Sequence, residues 1–460
     1  MNGLGHVPSQ GAYVSRALAL TSTKTWTEAL RFGPPMLLLL WACYAHGAFL
    51  EPARTIAAVA APGLGLVWAV FRGRDRTGDA AGTGSRWGLA EALLAAFAAL
   101  GAMSALWSLD WPSSLEAAGV LVGGVFFVRL GRALGSSPSA RSSVLLLLSE
   151  VGVLLSLLSV AGYAFRVSWL TQDLDGKILP TGTFGYANAL AGFLFLSLAA
   201  TVALFVESSG GGSLDGGKDV GLDVAREGVG PARASARSRL LLLAAAAILQ
   251  TTTIVLTQSR AAVAIVVLLL LLVVGVRIVG DPRRTAVRRW LVLGVALVLV
   301  GGAVAAGIIF WGKLRPYLSG ADVFRLKTWQ AALEAGKQSP ILGHGLGTFY
   351  QAYAPFKLGA QTTYAHNIFV QNLVELGVVG AGLIAAFLAV AVLRPLKAFL
   401  GPASSPRIPL LLGLLAFVLQ NLVDLTWYFP ALLLTFALLL GLTLSYPRDG
   451  SSLVVHTPSP

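Results

Sequence analysis

Hydrophobic residues along the chain fall into long blocks, and short polar segments separate the blocks. A transmembrane helix needs about 20 mainly apolar residues to cross the hydrocarbon core of a bilayer. The pattern therefore predicts an all-α polytopic membrane protein with about 12 transmembrane helices. The predicted spans lie near residues 33–50, 55–71, 88–107, 114–133, 143–165, 183–206, 240–257, 261–279, 290–311, 366–393, 408–426 and 428–446.

Two of these spans are less regular than the others. Gly123-Gly124 interrupts the fourth, and Glu375-Leu376-Gly377 interrupts the tenth. Irregular backbone at membrane depth is tolerated where it is buried in protein or lines a cavity. The tenth span is therefore predicted to be partly broken or re-entrant.

Composition agrees with the membrane interpretation. The chain has 460 residues, of which 56% are hydrophobic and 12% are charged, and its mean hydropathy is +0.75. Soluble domains carry about 25% charged residues, so most soluble classes are excluded. The single cysteine, Cys43, excludes a disulfide framework and a cysteine-based metal site.

The formal net charge of +13 would suggest nucleic-acid binding in a soluble chain. Here 24 of the 34 Lys and Arg residues fall on one side if the N-terminus is cytoplasmic, and six of the other ten lie in one long loop. Positive residues in short loops mark the cytoplasmic side. We therefore expect both termini in the cytoplasm, and the charge indicates topology instead of a nucleic-acid partner.

The spans and polar segments divide the chain into seven regions. The long outer loop is expected to contain short helices, and the Gly- and Ser-rich linker is expected to be disordered. The regions are a cytoplasmic N-terminal segment (1–32), spans one to six (33–206), a cytoplasmic linker (207–239), spans seven to nine (240–311), an extracytoplasmic loop (312–365), spans ten to twelve (366–446) and a cytoplasmic tail (447–460).

Polar residues near or within the bilayer are costly unless they are paired or used, so they mark candidate functional sites. Four such segments map to the outer side: 181–192, 257–260, the loop 312–365, and 364–380. Their candidate residues are Asn188, Ser259, Arg260, Arg325, Trp329, Tyr364, His366, Asn367 and Glu375. Packing of small residues explains the first segment equally well, and an arginine that reaches lipid headgroups explains the second.

The outer loop contains an amphipathic helix pattern. Asp322 is a plausible N-cap for a helix over 323–335 that ends at Gly336. Its apolar stripe is Leu326, Trp329 and Leu333, and Arg325 shares a face with Trp329. Such a helix could lie on the outer membrane surface.

Two other kinds of site fit the sequence poorly. The alternating glycines of 339–349 imitate a nucleotide-binding loop, but no βαβ context surrounds them. His344, His366 and Glu375 match no spacing of metal ligands on one helix face. We expect neither a cofactor nor a metal.

The two arginines and the histidine point to one chemistry. Arginine pairs bidentately with phosphate oxygens, so Arg260 and Arg325 could bind a diphosphate and stabilise its charge as it leaves. His366 could take the proton of an attacking sugar hydroxyl. Together they describe glycosyl transfer from a lipid-diphosphate donor without a metal.

The chain also resembles the bacterial O-antigen ligase and O-antigen polymerase family over residues 180–385. The residues that carry the resemblance, in order, are Thr183-Phe184-Gly185 with Asn188, Ser259-Arg260, Arg325 with Trp329, Pro340 to Gly347, and Ala365-His366-Asn367 through Gly377. It departs from the family pattern at Tyr186-Ala187-Asn188 and at Ala261, which puts substrate choice in doubt more than activity.

The resemblance implies a metal-independent membrane glycosyltransferase of the GT-C class in the bacterial cytoplasmic membrane. It would take a glycan from undecaprenyl diphosphate on the outer face, with Arg260 and Arg325 as the diphosphate-binding residues and His366 as the base. The acceptor would be the lipid A core in a ligase, or another lipid-linked repeat in a polymerase. A 12-span transporter of the major facilitator type is the alternative from another class, since span number and linker position also fit it.

Overall fold

The computed structural model describes residues 32–74, 87–174, 176–210, 231–268, 320–359, 362–393 and 405–446. These ranges are almost entirely helical. The helices are α1 (Phe32–Tyr44), α2 (Ala53–Arg74), α3 (Leu89–Met103), α4 (Trp111–Gly135), α5 (Pro138–Phe165), α6 (Ala187–Gly210), α7 (Pro231–Leu256), α8 (260–268), α9 (Gly320–Gln338), α10 (Phe349–Tyr353), α11 (Ile368–Leu388), α12 (Arg407–Gln420) and α13 (Pro430–Ser445).

The apolar helices give the architecture of a multi-pass membrane protein. In the described ranges, seven helices are long and apolar enough to cross a membrane: α2 to α7 and α11. The apolar helices α1, α12 and α13 are shorter. The predicted eighth span, 261–279, is described only over 261–268, and the ninth lies outside the described residues. The count of twelve spans and the cytoplasmic placement of the termini stay predictions.

Two expectations about helix limits need correction. Gly123-Gly124 does not interrupt the fourth span, because α4 is continuous through it. A Cβ at Gly123 would collide with Ala61 of α2, so this glycine allows close helix packing. At the linker 207–239, α6 extends to residue 210 and α7 begins at residue 231, so the helices reach further than expected.

A two-stranded antiparallel hairpin lies between α5 and α6, which an all-α prediction does not include. Its strands β1 (Thr171–Leu174) and β2 (Lys177–Pro180) pair with Thr171 opposite Pro180. The hairpin packs on the end of α5 and leads into the 3₁₀ turn that precedes α6. It thereby sets the position at which the chain enters α6.

The predicted outer-loop helix is present as α9, with different limits and a different buried face. It begins at Gly320, before the expected N-cap Asp322, and continues through Gly336. Leu333 of the predicted apolar stripe is exposed. The buried face consists of small residues, Thr328, Ala331, Ala332 and Ala335. Because these side chains are short, α9 packs closely on α11 and is part of the fold.

Helix α11 is broken, as the sequence predicts for the tenth span. Gly377 has φ +64° and ψ −164°, which lie outside the helical region. The glycine segment 340–347 fills the break with backbone hydrogen bonds: His344 N to Val374 O (3.1 Å), Gly345 N to Glu375 O (2.8 Å) and Val378 N to Pro340 O (2.9 Å). Backbone groups freed by a break need such partners in a buried position. The glycine segment, whose sequence resembles a nucleotide-binding loop, thus provides hydrogen-bond partners for the backbone groups at the break in α11.

Substitution of Gly377 by alanine tests this arrangement. A Cβ would collide with the backbone of Ile341, and the positive φ disfavours any side chain, so we expect a loss of about 1–3 kcal/mol or more in the free energy of unfolding. Gly382→Ala is the control, because a Cβ at that position of α11 meets nothing within 4 Å. Thermal unfolding of the purified variants gives the measurement, and equal effects of the two substitutions would contradict the role of the break.

Candidate functional site

His366 lies in the connection between the outer loop and α11, where its backbone is held in the left-handed region with φ +53°. Asn367 is the N-cap of α11: its Oδ1 accepts hydrogen bonds from Phe369 N (2.9 Å) and Val370 N (3.0 Å). The Asn367 amide also donates to Leu422 O at 2.8 Å. The helix cap and the loop after α12 therefore fix the residue that follows the histidine.

The residue before the histidine is fixed from two other elements. The indole of Trp329 on α9 donates to Ala365 O at 2.7 Å. The backbone N–H of Ala365 donates to Gln371 Oε1 on α11 at 2.7 Å. The Phe324 ring meets the His366 imidazole edge to face, with 6.2 Å between centroids. Trp329, predicted as a supporting residue, thus positions the backbone that carries His366.

The imidazole is buried beside a cation. Burial, and then the charge of Arg325, lower the pKa of His366 from 6.5 to about 4. Its Nδ1 is buried and has no hydrogen-bond partner among the described residues. At pH 7 the imidazole is therefore neutral, and the tautomer with its proton on Nε2 is able to accept a proton at Nδ1.

Arg325 connects this histidine to an acidic residue that the sequence interpretation missed. One guanidinium nitrogen, Nη2, lies 3.8 Å from Asp424 Oδ2, and the Asp424 side chain is only 2% exposed. Tyr186 donates to Asp424 Oδ1 at 2.9 Å, and the Asn188 amide donates to Oδ2. Asn188, predicted as a supporting residue, therefore belongs to the same cluster as Arg325 and His366.

A signal for Asp424 was present in the sequence. Gln420, Asn421 and Asp424 are polar residues in the predicted eleventh span, the same kind of signal that singled out His366. Gln420 donates to Asn188 O at 2.7 Å, and Asn421 O accepts from the first backbone N–H of α11. The loop after α12 therefore contributes one side of the site.

Arg260 occupies the first turn of α8. Ser259 is buried and caps this helix, with Ala262 N donating to its Oγ at 3.3 Å. Arg260 itself is exposed. A cation at a helix N-terminus adds to the positive potential of the helix dipole. That Arg260 shares one cavity with Arg325 and His366 stays a prediction.

The remaining predicted residues, Glu375 and Tyr364, line a cavity whose lining includes neither Arg325 nor His366. Glu375 is 1% exposed, and its Oε1 accepts from Gln371 Nε2 at 2.7 Å and from Phe349 N at 3.3 Å. Since Gln371 also holds Ala365, Glu375 connects indirectly to His366. Tyr364 and Glu375 line a cavity of about 310 Å³, to which we return below.

The described residues contain no group of three His, Cys, Asp or Glu side chains arranged to hold a metal ion. His344, considered as a ligand from the sequence, has its Nε2 3.1 Å from Ala335 O and lies in the segment that closes α11. The expectation of a metal-independent reaction stays a prediction.

Comparison with known proteins gives the family of this site. Residues 245–385 match the O-antigen ligase family, Wzy_C. This part of the chain is similar to the O-antigen ligase family. The resemblance inferred from the sequence is confirmed, although the matched range is less than half of the chain. It contains Arg260, Arg325 and His366, whereas Asn188 and Asp424 lie outside it.

One curated protein, the exopolysaccharide production protein ExoQ of Rhizobium meliloti (strain 1021), is similar to this chain. The two are 30% identical over 139 residues, which cover 26% of this chain and 31% of ExoQ. The match thus spans about a third of that relative's length. Both similarities thus cover only part of this chain. The apolar helices of the described residues indicate a multi-pass membrane protein.

The protonation state of His366 is testable by titration. In ¹⁵N-histidine-labelled protein, we expect the imidazole to stay neutral at pH 6 and to titrate near pH 4. Arg325→Gln removes the neighbouring positive charge, so the pKa should rise. Because only the neutral imidazole is a base, the acidic limit of any His366-dependent activity should move to higher pH with it.

The five histidines make the assignment feasible by subtraction of a His366→Asn spectrum. Lys327→Gln is the matched control, since it removes one charge from an exposed position of α9. A His366 that titrates near 6.5 in the parent, or a pKa that Arg325→Gln leaves in place, would contradict the proposed environment.

Proposed function

We propose that the protein is a glycosyltransferase that moves a glycan from undecaprenyl diphosphate to an acceptor hydroxyl. The acceptor would be the lipid A core or another surface glycan, and the reaction would take place at the outer face of the bacterial cytoplasmic membrane. The O-antigen ligase family match and the multi-pass helical architecture support this class of reaction.

In this reaction, the acceptor oxygen attacks the anomeric carbon of the donor sugar. The acceptor O–H proton passes to the vacant Nδ1 of His366 as the new C–O bond forms. The bond between the anomeric carbon and the diphosphate oxygen breaks, and the lipid diphosphate leaves with the electron pair. Arg325, together with Arg260, stabilises the negative charge on the leaving group. The fixed charges of the arginines would stabilise the leaving diphosphate, as a bound metal ion does in metal-dependent enzymes.

The observation that carries the proposal is the pairing of a buried, unpartnered imidazole nitrogen with an arginine whose charge disfavours its protonation. A structural histidine would be expected to use both ring nitrogens in hydrogen bonds. Trp329, Asn367 and Gln371 fix the backbone on both sides of His366, as preorganisation of a base requires.

Polymerisation is the second candidate within the same chemistry. The similarity to ExoQ, whose name refers to exopolysaccharide production, favours it. In that case the acceptor would be a second lipid-linked repeat, and the same base and arginines would act. The alternative of a transporter finds less support, because the family match lies over the residues of the proposed site.

The test uses purified full-length protein, a polyprenyl-diphosphate-linked glycan and a divalent-metal chelator. Transfer to a lipid A core acceptor as a single addition would indicate a ligase. A ladder of products from the lipid-linked repeat alone would indicate a polymerase. Absence of any product with both acceptor types, together with flux of a glycan across liposomes, would contradict the proposal in favour of transport.

A further inference from the structure

The cavity of about 310 Å³ is lined by residues shortly before and after His366 in the chain, such as Tyr364 and Gln371, but not by His366 itself. Its walls come from the N-terminal parts of α2, α4 and α11, from the start of α13, and from the outer-loop residues around α10. The volume is at the low end of ligand pockets, which run from about 300 to 1,000 Å³. A cavity of this size suits a small ligand such as a single sugar ring.

Three residues that line this cavity each have a buried polar atom without a hydrogen-bond partner among the described residues. The atoms are Gln351 Oε1, Glu375 Oε2 and Tyr428 Oη, and they come from three separate parts of the chain. The Glu375 side chain is almost fully buried. Buried polar atoms are nearly always paired, so three unpaired atoms around one cavity indicate that a polar occupant satisfies them.

The types of these atoms define the occupant. Gln351 Oε1 is an acceptor only, Glu375 Oε2 accepts when its carboxyl group is ionised, and the Tyr428 hydroxyl both donates and accepts. The occupant must therefore offer hydrogen-bond donors. The aromatic rings of Tyr350, Tyr364 and Trp427 add apolar wall between the polar atoms. A pyranose matches both features, since it has hydroxyl groups at its rim and C–H groups on its faces.

The charges of the cavity argue against an anion. Arg54 is its cation, and it is already paired with Glu116 (Nε to Oε2, 2.8 Å) and Glu51 (Nη2 to Oε1, 2.9 Å). Glu116 and Glu375 both line the cavity. The carboxyl groups of Glu51, Glu116 and Glu375 outnumber the one cation, so a phosphate is disfavoured here, which leaves the diphosphate to the arginines of the transfer site.

We propose that this cavity is a binding site for one uncharged sugar residue of a glycan substrate. Thr363 and Tyr364 form part of its wall, two to three residues before His366. Gln371, which also lines the cavity, holds Ala365 N. A sugar in the cavity therefore contacts the same segment that positions the base. The connection of this binding to transfer rests on the function proposed above, whereas the binding itself does not.

Binding is testable without turnover, using full-length protein and saturation-transfer NMR. The probes are the methyl glycosides of glucose, galactose, mannose and N-acetylglucosamine, with methyl glucuronide as an anionic comparison. We expect at least one neutral glycoside to bind and the glucuronide to bind more weakly. No signal from any neutral glycoside would mean that the cavity holds only water, and the proposal would fail.

Tyr428→Phe and Glu375→Gln should weaken the binding of that glycoside about five- to tenfold, as expected for loss of a buried hydrogen bond. Tyr428→Phe removes a hydroxyl that has no partner among the described residues, so the fold should not suffer from it. Tyr163→Phe on α5, outside the cavity, is the matched control. Binding that neither cavity variant changes would overturn the assignment.

Kinetics separate the two sources of the sugar. A higher KM for the acceptor in Tyr428→Phe places an acceptor sugar in the cavity, and a higher KM for the donor glycan places a donor sugar there. Glycoside binding by a parent protein that transfers nothing would support the site and contradict the proposed function. Transfer by a parent protein that binds no glycoside would support the proposed function and contradict the sugar site.

Discussion

His366→Ala is expected to lower kcat for glycan transfer by about 10²- to 10⁴-fold, the usual contribution of a positioned general base. The substitution removes the imidazole whose Nδ1 has no hydrogen-bond partner among the described residues and whose pKa the charge of Arg325 lowers. Donor binding should persist, because the arginines remain. Transfer rate and inhibition by inorganic pyrophosphate, measured on the same preparation, separate these two effects.

His344→Ala is the control for this experiment. His344 belongs to the same outer region, but its Nε2 meets Ala335 O in the segment that closes α11. We expect it to change thermal stability more than kcat per folded molecule. If His366→Ala retained the parental rate, the base would have to be another group, and Asp424, the carboxylate beside Arg325, would be the next one to test.

The features that depend on a local pattern of residues, namely the helices, the break in α11 and two of the site residues, could be predicted from the sequence. Apolar blocks predict the helices, because a helix in lipid satisfies its own backbone hydrogen bonds whatever surrounds it. The break at Gly377 was also predictable, since a carboxylate and a glycine interrupt an apolar stretch. His366 and Arg325 were predicted as functional residues because ionisable side chains in or near a bilayer are energetically costly unless they are paired or used.

What depends on distant contacts could not be predicted in the same way. The glycine segment 340–347 forms backbone hydrogen bonds with a helix about 30 residues further along the chain. Pairing between backbone groups of distant segments leaves no pattern in the sequence of side chains. The burial of Thr328, Ala331 and Ala335 on α9 follows from how closely α11 approaches, which overrides the more hydrophobic Leu333. Asp424 carried a signal, but only the fold brings it to Arg325.

Arg325→Ala is expected to lower kcat/KM for the lipid-diphosphate donor by about 10²- to 10³-fold, as loss of a preorganised charged donor at a leaving group would. Arg325→Lys keeps the charge but loses the planar fork that binds two phosphate oxygens, so its activity should be intermediate. Lys327→Ala removes an exposed cation from the same helix and should be close to the parent. Inhibition by inorganic pyrophosphate should weaken in the same order as transfer.

Loss of Arg325 has a second consequence, which a double substitution separates from the first. Asp424 is buried, and without the guanidinium 3.8 Å away its carboxylate would lose a stabilising cation. Arg325→Ala should therefore also lower the unfolding temperature. Arg325→Ala combined with Asp424→Asn removes the uncompensated charge and should recover stability without recovering transfer. If the double variant instead regained parental transfer and pyrophosphate inhibition, Arg325 would serve only to neutralise Asp424, and its assignment to the diphosphate would be wrong.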